Sequence, residues 1–220
     1  MAKKGLLVLI LAATFAAGSA FAQVQLSAGL GGNFAVHFSR MTLDVPWASV
    51  DPIDSTAMGG GFFGFFDATY AEASVGMGFA NSKQQENTLL GIPKDEKGTD
   101  LTYLSLALFG KYPIDLGGFT LFPMLGVQGE ILVNAAYDGN KIKNEDGLYS
   151  NNSQLWFKLG VGADINITES LYLRPTFLYG LRLPTASEND TIDMYKSAGA
   201  KDASAIGHGL DVRLAVGYRF

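Results

Sequence analysis

The C-terminal stretch His208-Gly209-Leu210-Asp211-Val212-Arg213-Leu214-Ala215-Val216-Gly217-Tyr218-Arg219-Phe220 alternates with a period of two. The even positions are apolar apart from His208, and the odd positions carry Asp211, Arg213 and Arg219 among small residues. Successive side chains on a β-strand point to opposite faces, so this stretch reads as a strand with one greasy and one charged side.

The same pattern recurs upstream. In 155–167, Leu155, Phe157, Leu159, Val161, Ala163, Ile165 and Ile167 oppose Trp156, Lys158, Gly160, Gly162, Asp164 and Asn166. Segments 171–183 and 24–38 repeat it, and weaker versions lie at 58–67, 70–80, 101–112 and 119–133. That makes eight strands, and no segment shows a helical apolar period. The expected long connections, 39–57, 81–99, 135–152 and 184–206, alternate with short ones near 67–70, 113–118 and 168–170. Long loops on one rim and tight turns on the other are the pattern of outer-membrane barrels. The expected fold is therefore all-β: an eight-stranded, antiparallel, up-and-down transmembrane β-barrel.

Three observations weigh against a soluble barrel or sandwich with its apolar face inside. The polar face is mostly Gly, Ser, Ala and Asn, whereas a wet surface would carry more Lys, Glu and Thr. The apolar faces of 24–38, 155–167, 171–183 and 208–220 hold no Asp, Glu, Lys or Arg, as lipid contact requires. The strands also exceed the roughly 9–11 residues that a tilted membrane strand needs. Pro123 and Pro175 fall inside strands, where a missing ladder donor calls for a bulge or a membrane boundary.

Composition agrees. The 220 residues are 48% hydrophobic and only 17% charged, with a net charge of −5 and a mean hydropathy of +0.16. The acidic balance argues against nucleic acid. Zero Cys removes disulfides, thiolate metal sites and a lipoprotein anchor, and two His leave little room for a metal centre. No cofactor and no metal is expected. Residues 1–22 read as a secretory signal peptide: basic Lys3-Lys4, a short apolar run, then Ala20-Phe21-Ala22 before Gln23. Loss of Lys3 and Lys4 takes the charge from −5 to −7, and 23–220 is expected to be the barrel.

The ending Val216-x-Tyr218-x-Phe220 resembles the terminal signature of bacterial outer-membrane barrels. With the loop pattern, the chain resembles small eight-stranded barrels of the OmpA/OmpX/OmpW type. The resemblance implies that Val216, Tyr218 and Phe220 are read by the barrel-assembly machinery. It also leads us to expect a monomer in outer-membrane lipid, without the peptidoglycan-binding domain of full-length OmpA proteins.

By parity the lumen should hold Glu72, Lys111, Glu130, Lys158, Asp164, Arg174, Arg182, Asp211, Arg213 and Arg219, an excess of two positive charges. An eight-stranded barrel is about wide enough for side chains to fill, so these charges should pair. A three-residue turn at Thr168-Glu169-Ser170 would set Asp164 opposite Arg174, and Trp156 beside Arg182 within cation–π range. Such a network is either a structural plug or a gate, and composition does not choose between them.

Catalytic signals are weak. His37 and Ser39 share a face near Asp44, Asp51 and Asp54, but two residues along a strand separates side chains by roughly 6–7 Å. Gly59-Gly60-Gly61 lacks the Lys-Ser/Thr of a phosphate loop, and Tyr137-Asp138-Gly139-Asn140-Lys141 lacks calcium-loop spacing. His208 has the lipid parity of an interface residue. The loops 39–57, 81–99, 135–152 and 184–206 sum to about −5 and are the candidate contacts for host or environmental ligands. The expected function is a non-enzymatic structural and surface role, with a narrow porin-like channel for small or hydrophobic solutes as the alternative.

Overall fold

The computed structural model describes residues 24–46, 51–84 and 98–220. Residues 1–22, expected to be a signal peptide, lie outside them. Eight long strands form the wall: β1 (Leu26–Asp44), β2 (Ile53–Ala68), β3 (Ala71–Gln84), β4 (Thr99–Lys111), β5 (Phe119–Tyr137), β6 (Gln154–Asn166), β7 (Leu171–Arg182) and β8 (Asp202–Arg219). Each pairs antiparallel with its sequence neighbour. β1 pairs β8 from Ser27↔Arg219 to Asp44↔Asp202, which closes the ring. Closure leaves every long strand paired on both edges, as a hydrocarbon environment demands of backbone N–H and C=O groups.

Side-chain direction follows the sequence parity. On β8, Leu210, Val212, Leu214, Val216 and Tyr218 are exposed on the outer surface, while Asp211, Arg213 and Ala215 are buried inside. On β6, Phe157 and Leu159 face out, and Trp156 and Lys158 face in. The apolar girdle is thus external and the ionised groups are internal.

Several boundaries differ from the sequence reading. β1 continues to Asp44, β2 begins at Ile53 and β8 begins at Asp202, so much of the expected loop is paired wall. This extension carries a small core beyond the lumen charges, in which Leu43 and Ala203 pack with Ile192. Ile192 belongs to a helix that the sequence reading did not expect, α2 (Ala186–Ser197), which follows the short α1 (Leu148–Asn151). A capping box starts α2: Thr185 Oγ accepts from Glu188 N at 3.2 Å, and the Glu188 carboxylate accepts from Thr185 N at 2.8 Å.

Of the two settings expected for the prolines, a bulge or a membrane boundary, neither residue sits at a bulge. The register shift in the described ladders is on β4 against β5, between Thr102 and Tyr103. Pro123 lies opposite Val161 in an unshifted ladder. Beside Pro175 the β6–β7 ladder lapses between Gly162↔Thr176 and Ile165↔Leu173, with the same register on both sides. That register is the one expected from the three-residue turn. The Asp164 and Arg174 side chains bond across the lapse, so side-chain bonds hold the wall where proline removes a backbone donor.

Candidate functional site: a plugged lumen beneath an open cup

The lumen is built in layers. Nearest the short-turn rim, Arg174 is the centre. It grips Asp164 with Nε–Oδ1 at 2.6 Å and Nη2–Oδ2 at 2.8 Å, and its Nη1 meets Glu72 at 2.6 Å and Asp67 at 2.7 Å. Lys111 bonds Asp67 from the other side. Arg219 donates to Asn166 at 2.6 Å and lies 3.9 Å from Asp164. Phe65, Tyr172 and Phe122 surround the Arg174 guanidinium at 4.7, 5.0 and 5.1 Å from its carbon. A planar guanidinium can stack on rings while its edge binds carboxylates, which lysine cannot do.

The next layer is centred on Asp211, which is 1% exposed. It accepts from Lys158 at 3.1 Å and from Arg213 Nε at 3.0 Å. Arg213 packs against Phe109 and Phe63, 5.3 and 5.4 Å away, and donates to Gln128 Oε1 at 2.5 Å. Gln128 Nε2 donates in turn to Glu130 Oε1 at 2.7 Å, and Trp156 Nε1 donates to Glu130 Oε2 at 3.0 Å. Above, Arg182 makes a two-pronged pair with Glu188 at 2.7 and 2.8 Å.

Two lumen acids escaped the sequence reading. Asp67 stands where the expected strand 58–67 meets the connection near 67–70, and it shares parity with inward Phe63 and Phe65 and is 2% exposed. Glu188 reaches in from α2. With both included, Asp67, Glu72, Glu130, Asp164, Glu188 and Asp211 balance Lys111, Lys158, Arg174, Arg182, Arg213 and Arg219, so the expected positive excess disappears. Arg182 stands opposite Trp156 as expected, but it turns to Glu188. The cation near the Trp156 ring is Lys158, at 5.6 Å. A two-pronged carboxylate outcompetes a ring face for a guanidinium.

Above the second layer the lumen opens into a cup of about 470 Å³, within the usual range for small-ligand pockets. Its lining includes His37, Tyr103, Gln128, Glu130, Gln154 and Arg182, which lie toward its floor. The β2–β3 side is lined by Gly59, Gly60 and Gly78, and at Gly78 a Cβ would meet nothing within 4 Å, so the missing side chain there adds to the open space. Buried Gln154 Oε1 has no hydrogen-bond donor, alone among buried side-chain acceptors of the described residues. Such an orphan costs about 1–3 kcal/mol.

The chain matches the family model described as the outer membrane protein beta-barrel domain over residues 6–220. It belongs to that family. Its place is therefore the bacterial outer membrane, and in this family's architecture the long-loop rim faces outward. The structure is similar to outer membrane protein OprG of Pseudomonas aeruginosa (13% identity, TM-score 0.46, covering 90% of this chain and 97% of that one). It is similar to Neisserial surface protein A (6%, TM-score 0.46, 88% and 99%). It is also similar to Ail, the attachment invasion locus protein of Yersinia pestis, in complex with the heparin analogue sucrose octasulfate (11%, TM-score 0.37, 90% and 100%). No curated protein matches the sequence.

Within this family barrel the weak catalytic set is dispersed. His37 packs against Trp156 with centroids 4.2 Å apart and the rings tilted by 39°, Ser39 bonds Ser55 at 2.6 Å, and Asp54 is held by Arg40 at 2.7 Å. His208 lies outside, 5.4 Å from Phe38 and 6.5 Å from Tyr179 between centroids. Val216, Tyr218 and Phe220 are exposed on the outer surface.

Proposed function

We propose that this barrel is a non-enzymatic structural and surface protein whose outward cup and loops meet ligands. The observation that supports this most is the asymmetry of the lumen. Its inner half is filled by ion pairs interleaved with Phe63, Phe65, Phe109, Phe122 and Tyr172, while its outer half is open. Breaking a buried ion pair costs several kcal/mol, so a charge layer packed among rings opposes the passage of ions.

The test is conductance. Purified protein in planar bilayers is expected to be silent. Discrete currents that change with Glu130→Gln or Arg213→Met would overturn the closed reading in favour of a narrow channel for small or hydrophobic solutes. We also propose that residues 1–22 are removed before Gln23, that Val216, Tyr218 and Phe220 are read by the barrel-assembly machinery, and that the barrel is a monomer. The loops 39–57, 81–99, 135–152 and 184–206 are the proposed contacts for host or environmental ligands.

A further inference from the structure

We propose that the floor of the cup binds a primary ammonium group, through the Glu130 carboxylate, Gln154 Oε1 and the Tyr103 phenol oxygen. The inference rests on the reading of the cup as outward and ligand-facing, and names the ligand chemistry.

Glu130 is 8% exposed and lines the cup. Both of its oxygens accept from neutral donors, Gln128 and Trp156. No lysine or arginine of the described residues lies within ion-pair distance. Its balancing charge is Arg213, one hydrogen-bond step deeper through Gln128, and Arg213 does not line the cup. The pair is a dipole with its negative end toward the cavity. Asp211 below has the opposite arrangement, two cations on one carboxylate.

Gln154 stands directly across the ladder from Glu130, so the two side chains rise from the same inward face. Its Nε2 is spent on the Tyr103 oxygen at 3.2 Å, which leaves Oε1 without a donor. The site therefore presents a carboxylate, an amide carbonyl and the Tyr103 hydroxyl, whose oxygen already accepts from Gln154 and keeps one lone pair. An –NH₃⁺ group carries three donors and no acceptor, which matches this set. Among the described residues no three His, Cys, Asp or Glu side chains come together, so the donor set here is one carboxylate with neutral oxygens. The acidic loops would concentrate cations at the mouth. Met41, Leu101 and Leu132 line the cup above the floor and suit the carbon chain of an amine.

The amine could be free in the medium or borne on a larger solute, so the probes are butylammonium, spermidine, tetramethylammonium and glucose. Calorimetry on the detergent-solubilised barrel should show saturable binding of butylammonium, at least tenfold weaker binding of tetramethylammonium, which has no N–H, and none of glucose. Tighter binding of spermidine would favour the polyamine source, and equal binding a simple amine. A ¹⁵N spectrum supplies a second readout, since Trp156 and Trp47 are the only tryptophans. The Trp156 indole N–H, bonded to Glu130, should shift on titration. Gln154→Leu and Glu130→Gln should each weaken binding at least tenfold; if Glu130→Gln does not fold, Gln154→Leu and the indole shift decide. No saturable binding to the folded wild type, or unchanged affinity in Gln154→Leu, overturns the proposal. Bilayer silence is measured separately, so the closed-lumen reading stands or falls on its own.

Discussion

Arg174 shows how much one buried side chain can organise. Removing one partner of a buried pair costs about 3–5 kcal/mol because a charge is stranded. Asp164→Ala leaves Arg174 still bonded to Glu72 and Asp67, so the loss should fall near 3 kcal/mol. Arg174→Met leaves three carboxylates with only Lys111 and the more distant Arg219 and should cost more. Urea unfolding of the barrel in lipid vesicles checks the order of the two, and an unchanged midpoint for Asp164→Ala would remove the clamp from the account. Small residues matter at the same scale. A Cβ on inward Gly162 would come within 2.5 Å of the Phe122 ring, so the wall is bare where the plug is bulky.

Helix α2 is the element whose contribution depends most on pH. Burial alone would raise the Glu188 carboxyl, but the Arg182 hydrogen bonds and charge, with the Thr185 N–H, hold it below its ordinary value of 4.5. A carboxyl lowered on folding stabilises fully above its unfolded pKa, and that contribution disappears as pH falls through the folded value. Amide protection of 186–197 should therefore decline on acidification below about 4.5 while the wall amides stay protected. Thr185→Ala should cost α2 about 1 kcal/mol, read as faster hydrogen exchange in 186–197 with no change in the melting of the wall. The start of this helix was legible as Thr185-x-x-Glu188. It was missed because α2 buries little besides Ile192, so no apolar stripe marks it.

For the molecule as a whole, the outward face is the testable claim. Leu214→Arg places a charge in the apolar girdle and should destabilise the barrel by about 2–4 kcal/mol if it lies at the bilayer midplane; unfolding in lipid vesicles measures it. The strand count, the alternation of long and short connections and the facing of β6, β7 and β8 were legible because one face of each is free of charge. β2 was not, because Phe62-Phe63 and Phe65-Phe66 put aromatics on both faces: Phe62 and Phe66 meet lipid while Phe63 and Phe65 fill the plug. Hydropathy cannot separate those two surroundings, and Asp67 was lost with them.

What the sequence by itself determined is the cylinder. A period of two, the rim asymmetry and the register of the 168–170 turn are local properties, set by chain geometry and by the cost of charge in lipid. Which charges meet was decided only in three dimensions. Arg174 reaches Glu72 from across the lumen, Glu188 reaches Arg182 from a helix, and Glu130 is left facing an open cup. Such contacts depend on the diameter and closure of the ring, and no stretch of the chain contains that information.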